Sequence, residues 1–215
     1  WFSGHIRQTG FRQDFHVSLG KYAIETGFQT ALLNVKSAEW KQVTLHEKEQ
    51  RRAWDNAAWV NVAAPITSKL NVSAGLRLSM FSPLGGSLYY DIEQDGSIGW
   101  YYNYGKNKIV KTHTTLEPRL SLNYHLSPIT SIKLGYTRTS QNIHALRNQS
   151  TSTPFDRYTM SSNIVKPEVA DQVSAGVFFM TPNQDYDFSV EAYYRQIDNV
   201  LDYRDGKSFA SEIEI

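Results

Sequence analysis

The chain has 215 residues, a formal net charge of +1 and no cysteine. That length suits one domain or a large piece of one, and the balanced charge offers no concentrated basic surface for nucleic acid. The missing cysteines exclude a disulfide framework, thiolate metal ligation and a cysteine nucleophile.

Period-two alternation runs through most of the chain, and helical periodicity is scarce. Residues 9–19 set Phe11, Gln13, Phe15, Val17 and Leu19 opposite Arg12, Asp14, His16 and Ser18, and Gly20-Lys21 makes a tight turn. Residues 22–36 read as a second strand, with Tyr22, Ile24, Phe28 and Leu32 opposite Glu25, Gly27 and Gln29. A charged stretch, Lys41 to Arg52, follows. In the third strand, residues 53–64, Ala58, Val60 and Val62 share a face and Trp59 takes the other. After the turn at Pro65-Ile66-Thr67-Ser68, the fourth strand sets Leu70, Val72, Ala74, Leu76, Leu78 and Met80 against Asn71, Ser73, Gly75, Arg77 and Ser79. Residues 83–113, polar and rich in Tyr and Gly, read as a long loop. The fifth strand carries Leu120, Leu122 and Tyr124 opposite Arg119, Ser121, Asn123 and His125. Ser127-Pro128-Ile129-Thr130 turns into the sixth, Ile132, Leu134 and Tyr136 opposite Lys133, Gly135 and Thr137. A second long loop spans 141–167. The seventh strand, 169–181, carries Val173, Ala175, Val177 and Phe179. The turn at Pro182-Asn183-Gln184-Asp185 leads to the eighth, with Phe188, Val190, Ala192 and Tyr194 opposite Ser189, Glu191, Tyr193 and Arg195.

Short turns alternate with long loops, the signature of an outer-membrane barrel with short turns at one rim and long loops at the other. The strand-centre charges share one face: Arg12, Asp14, Glu25, Arg77, Arg119, Lys133, Glu191 and Arg195. The opposite face reads as almost free of charge. A soluble antiparallel sheet with one wet face alternates in the same way. Three features favour lipid. The strands run to ten residues or more, against about 5–6 in soluble domains; the long loops fall on one rim; and small residues such as Gly75, Gly135 and Ala175 sit mid-strand. The mean hydropathy of -0.46 is compatible with this, because a barrel strand shows lipid only every second residue. No stretch reaches the ~18 apolar residues of a membrane-spanning helix. The chain does not begin with Met and carries no signal peptide, so both ends read as cut points of a longer protein. Aromatic residues make up 13% of the chain, led by 13 Tyr, a type that favours strands and wet–dry boundaries.

Residues 117–125 (Glu-Pro-Arg-Leu-Ser-Leu-Asn-Tyr-His), then Ser131-Ile132-Lys133-Leu134-Gly135-Tyr136, resemble mid-barrel strands of TonB-dependent outer-membrane receptors. So do Ile164-Val165-Lys166-Pro167-Glu168, Asp171-Gln172-Val173 with Gly176, and the run from Ser189 to Val200 with its Tyr193-Tyr194 and Asp198-Asn199 pairs. The resemblance is strongest over 115–206. It implies an all-β fold, an antiparallel transmembrane β-barrel in which residues 1–215 supply about eight meandering strands of a 22-stranded wall. It implies a plug domain, absent from these residues, that engages the TonB complex. It also implies a place in the cell outer membrane, among lipid bilayer and lipopolysaccharide.

The expected activity is uptake of a scarce nutrient: a ferric chelate, a cobalamin-like compound, an oligosaccharide or a peptide. The rival readings are a passive outer-membrane channel, a soluble β-sandwich binding module and an outer-membrane hydrolase. Asp14, His16 and Ser18 share a face, but no oxyanion hole accompanies them, so no catalytic residue is assigned. The six His residues lie without ligand spacing, so no metal or cofactor is assigned. The candidate ligand contacts are the loop aromatics Tyr89, Tyr90, Trp100, Tyr101, Tyr102 and Tyr104, which can stack on sugars, peptides or planar ligands, with Arg147 in the next loop. The row Arg12, Asp14, Glu25, Arg77, Arg119, Glu191 and Arg195 is expected to face the lumen, paired within the wall or against the plug.

Overall fold

The computed structural model describes residues 2–40, 50–94, 97–146, 157–183 and 185–201. Among them there is no helix, and twelve strands follow in chain order. Eight form one antiparallel meander: β1 (Phe2–Leu19), β2 (Tyr22–Trp40), β3 (Gln50–Pro65), β4 (Leu70–Leu84), β7 (His113–Ser127), β8 (Thr130–Gln141), β11 (Glu168–Met180) and β12 (Asp187–Asp198). Two hairpins interrupt it at the long-loop rim: β5 (Leu88–Ile92) with β6 (Ile98–Asn103), and β9 (Ile143–Leu146) with β10 (Arg157–Met160). Strands β1 and β12 are the edges of an open sheet.

The strands run well past the predicted limits; β2 has 19 residues. Short connections close the other rim. In the first, Gly20 takes φ 59°, the left-handed region that glycine enters without steric penalty. The regions read as two plain loops, 83–113 and 141–167, contain the hairpins β5–β6 and β9–β10. Their strands have only four to six residues, too few to show a period.

Register fixes which residues share a face. One row crosses all eight strands as His16, Glu25, Asn61, Gly75, Arg119, Thr137, Gln172 and Arg195. The adjacent row crosses them as Val17, Ile24, Val62, Ala74, Leu120, Tyr136, Val173 and Tyr194. The first is wholly polar or glycine; the second carries no charge. Arg12, Asp14, Arg77, Lys133 and Glu191 fall on the polar face by the same register.

The apolar row climbs. It starts two residues from the β1 end Leu19 and finishes seven residues from the β12 start Asp187. Such stagger is the tilt that a closed barrel wall requires.

The apolar face is not as free of charge as its sequence suggests. Arg138 and Asp171 lie directly opposite each other on it, and the guanidinium donates two hydrogen bonds of 2.8 Å to the carboxylate. The predicted alternation of β8 ends at Thr137, one residue short of this pair.

The core is small and lies on the polar-face side. Leu33, Val35, Ala53, Phe81 and Met160 form it, with Ile143 against them. Leu33 and Val35 share a face with Gly27 and Glu25, so this face turns apolar toward the long-loop rim, where β10 packs on β2.

Candidate functional site

The polar face carries a chain of charged and aromatic groups built around Trp59. Register sets Asp14, Gly27, Trp59, Arg77 and Glu117 side by side across five strands. Gly27 lets the indole lie flat: a Cβ there would stand 2.6 Å from the Trp59 ring. The guanidiniums of Arg12 and Arg77 cover the ring at 4.7 and 5.2 Å from its centroid, which favours cation–π attraction. Arg12 is anchored in turn by a bidentate pair with Asp14, 2.9 Å for each contact. Asp14 is thereby committed to Arg12, and His16 stands beside Glu25, so Asp14, His16 and Ser18 form no relay.

At the other end Glu117 is buried and well satisfied. Its Oε1 accepts the hydroxyls of Ser79 at 2.8 Å and Ser140 at 2.7 Å. Arg77 and Arg119 approach its Oε2, each at 3.9 Å. A buried carboxylate needs such partners to remain charged. A cavity of about 420 Å³ opens beside it, lined by Asp55, Arg77, Glu117, Arg119, Asn142 and Ile143 among others. The cavity lies on the polar face just below the β9–β10 hairpin.

That hairpin is a cap built of several anchors. Met160, 1% exposed, inserts among Leu33, Val35, Ala53 and Phe81. The His144 imidazole lies 3.2 Å from Glu168 Oε1 on β11 and 3.4 Å from Ser161 Oγ. This Ser–His–Glu series has the order of a hydrolytic relay, but Ser161 is 0% exposed, so its hydroxyl meets no substrate and the series pins the hairpin to the wall. The Ser162 carbonyl lies 2.7 Å from the His113 ring, and Lys111 donates to the Asn163 carbonyl at 2.9 Å.

Asn163 also joins the two insertions, its amide donating to the Tyr90 carbonyl at 2.8 Å. The predicted aromatic cluster is real but divided. Tyr89, 1% exposed, is structural: its hydroxyl donates to the Leu84 carbonyl at 3.0 Å, and Tyr104 meets its ring edge-on at 5.7 Å. Tyr90 faces Tyr101 at 6.1 Å across the hairpin, and Tyr102 lies 6.2 Å from Tyr104. A hydrogen bond to Asp91 holds the Tyr102 phenol above the ordinary tyrosine range. Trp100 and Tyr101, 77% and 57% exposed, are the outermost large rings. Arg147 lies outside the described residues.

Sequence reasoning did not single out Trp59, Asp55, His144, Asn163 or Met160. Trp59 on the polar side of its strand was the one available signal. Among the described residues no three His, Asp or Glu side chains are grouped to hold a metal ion.

The family model of the TonB dependent receptor-like beta-barrel matches residues 4–211. No curated protein sequence matches the chain. Among solved structures, the chain is similar to the FrpB iron transporter of Neisseria meningitidis (12% identity, TM-score 0.59, 89% of this chain and 29% of that one). It is also similar to the alcaligin outer-membrane receptor FauA of Bordetella pertussis (14%, 0.56, 97% and 32%) and to the ferric-catecholate import receptor Fiu of E. coli (13%, 0.55, 96% and 33%). At such identities the likeness is one of fold, and the chain spans about a third of each structure's length.

Proposed function

Because the chain belongs to the TonB-dependent receptor-like β-barrel family, we propose that its sheet is part of an outer-membrane wall serving uptake of a scarce nutrient. The carrying observation is the pair of adjacent rows, one charged or polar and one apolar, each unbroken across eight strands. In this reading hydrocarbon touches the apolar row. Arg12, Asp14, Glu25, Arg77, Arg119, Glu191 and Arg195 face a lumen filled by water and by a plug domain outside these residues. The plug engages the TonB complex, residues 1–215 are barrel alone, and lipopolysaccharide surrounds the outer rim. A closed wall of 22 strands would take eight of them from this chain.

A second feature supports hydrocarbon on that side. Three polar side chains of the apolar face are internally bonded: Gln13 donates to the Asp14 carbonyl at 3.1 Å, Thr26 to the Trp59 carbonyl at 2.8 Å, and Thr30 to the Asn56 amide oxygen at 2.6 Å. Where water is missing, an unsatisfied polar group is costly.

For the ligand we favour a ferric chelate, because one similar structure is named a ferric-catecholate import receptor and another an iron transporter. Trp100 and Tyr101 present bare rings at the outer mouth, where they would stack on its planar groups. The role is binding and passage, without catalysis. It is tested by paired substitutions in a barrel carrying this segment, refolded into vesicles. Leu76→Arg on the apolar face costs about 2–4 kcal/mol in denaturant unfolding, whereas Thr137→Arg on the polar face changes stability little. Equal costs would remove lipid from the account.

A further inference from the structure

On the apolar face, the height at which side chains turn polar differs along the sheet. Depth can be counted from the short-turn rim. On β3 and β7, Trp54 lies eleven residues before Pro65 and Leu116 eleven before Ser127. Both are apolar and exposed, 40% and 50%, and Leu32 and Met80 stand ten residues up their own strands. On β12, Asp198 lies eleven residues after Asp187. Below it on the same face, Gln196 pairs across to Asp171 and Asp171 to Arg138. Tyr136, Arg138, Asp171, Gln196 and Asp198 are hydrogen-bonded to one another in two groups. Tyr136 donates to Asp171 at 2.7 Å, the Arg138–Asp171 pair is bidentate, and Gln196 donates to Asp198 at 3.2 Å. Asp171 and Arg138 side chains are 29% and 40% exposed, so neighbouring residues leave them open to the medium.

We infer that the hydrocarbon belt around this wall is uneven: the outer leaflet's polar headgroup layer dips along β8, β11 and β12, meeting the Arg138–Asp171 clasp, while hydrocarbon rises higher along β3, β4 and β7. The inference rests on the membrane reading above and specifies where that membrane ends. Its physical basis is the cost of placing a charged pair among acyl chains, which a local thinning of the bilayer removes. The clasp explains why both charges are tolerated on the lipid side. Each neutralises the other, and the patch keeps only the charge of Asp198, which suits water and sugar rather than direct contact with phosphate.

The chain holds no cysteine, so single cysteines at Trp54, Leu116, Val173, Val169 and Asp198 can each carry a nitroxide label. The full barrel would be placed in vesicles of phosphatidylcholine and phosphatidylglycerol. Collision of each label with oxygen, which favours hydrocarbon, is then compared with collision with a water-soluble nickel chelate. Val169 pairs with Asp198 across the strands and leaves all five polar side chains in place. The expected oxygen-to-nickel ratio is high at Trp54, Leu116 and Val173, and several-fold lower at Val169 and Asp198. A ratio at Val169 and Asp198 equal to that at Leu116 would mean a level boundary and would overturn the inference. Suppression of both collisions there would mean that protein covers the patch, and would overturn it as well. Nickel-dominated collisions at Val173 and Leu116 too would instead remove the membrane itself, a failure of the parent reading that these labels tell apart.

Discussion

The insertions β5–β6 and β9–β10 are both small antiparallel hairpins at the same rim, yet they differ in what holds them. Hairpin β9–β10 pairs four residues on each side, and an isolated two-stranded hairpin is marginal in water. It is fixed instead by the wall beneath: Met160 in the apolar patch, His144 against Glu168, and Ser162 against His113. Hairpin β5–β6 roots one ring, Tyr89, and holds Trp100 and Tyr101 out in the medium. The contrast shows that loop order is set by the surface under it. Where the polar face turns apolar at Leu33, Val35, Ala53 and Phe81, a loop is pressed against it; β5–β6 meets the wall through Tyr89 and leaves its tip exposed.

The largest expected effect therefore comes from the patch on which β9–β10 rests. Phe81→Ala removes a ring with 1% exposure and leaves a cavity under Met160, a change that typically costs about 3–5 kcal/mol. The midpoint of denaturant unfolding should fall, and protease should cut within 142–167 before it cuts within 86–112. Equal cutting of the two insertions would break the comparison. Next, His144→Ala leaves Glu168 and Ser161 without their shared partner, a loss of about 1–3 kcal/mol. Amide exchange in β9 and β10 should quicken while exchange in β5 and β6 stays as it was.

How much of this was legible in the sequence follows from where the restraints lie. The meander, its turns and its two faces were readable because period-two alternation is local: Leu70 to Met80 states its own orientation. Trp59 on the polar side was visible, but its partner Gly27 lies 32 positions earlier in the chain, and only register brings them together. The cap was not readable. Met160 and His144 sit in a stretch rich in Ser, Thr and Asn, and their order comes from contacts with β2, β3, β4 and β11, distant in sequence. The aromatic cluster was readable as composition, but not the division between buried Tyr89 and bare Trp100. Composition does not tell which ring finds a carbonyl. Arg138 and Asp171 escaped because they stand on separate strands, each looking like a strand-end charge until pairing joins them.

A finer test concerns the tie between the two hairpins. Asn163→Ala deletes the bonds to the Tyr90 carbonyl and the Asp91 carboxylate, together worth about 1–2 kcal/mol, and should shift the unfolding midpoint only slightly. Its effect should appear in the aromatic hairpin. Fluorescence from Trp100 should become more accessible to aqueous quencher; a quenching constant identical to the parent's would show that the Asn163 tie does not restrain the tip of β5–β6.

The smallest effect on stability, and the most informative for function, belongs to Trp100→Ala. The ring is 77% exposed, and surface substitutions of this kind usually fall within about 0.5 kcal/mol. If the bare rings exist to meet a ligand, the variant should keep the parent's unfolding midpoint and protease pattern while ferric-chelate binding weakens. Tyr101→Ala should do the same, and Tyr89→Phe should show the reverse, a modest loss of stability from the missing bond to Leu84 with binding retained. A Trp100→Ala barrel that binds every tested chelate as the parent does would assign the exposed aromatics to the outer bilayer boundary. The ligand would then be sought deeper, at the cavity between Asp55 and Glu117.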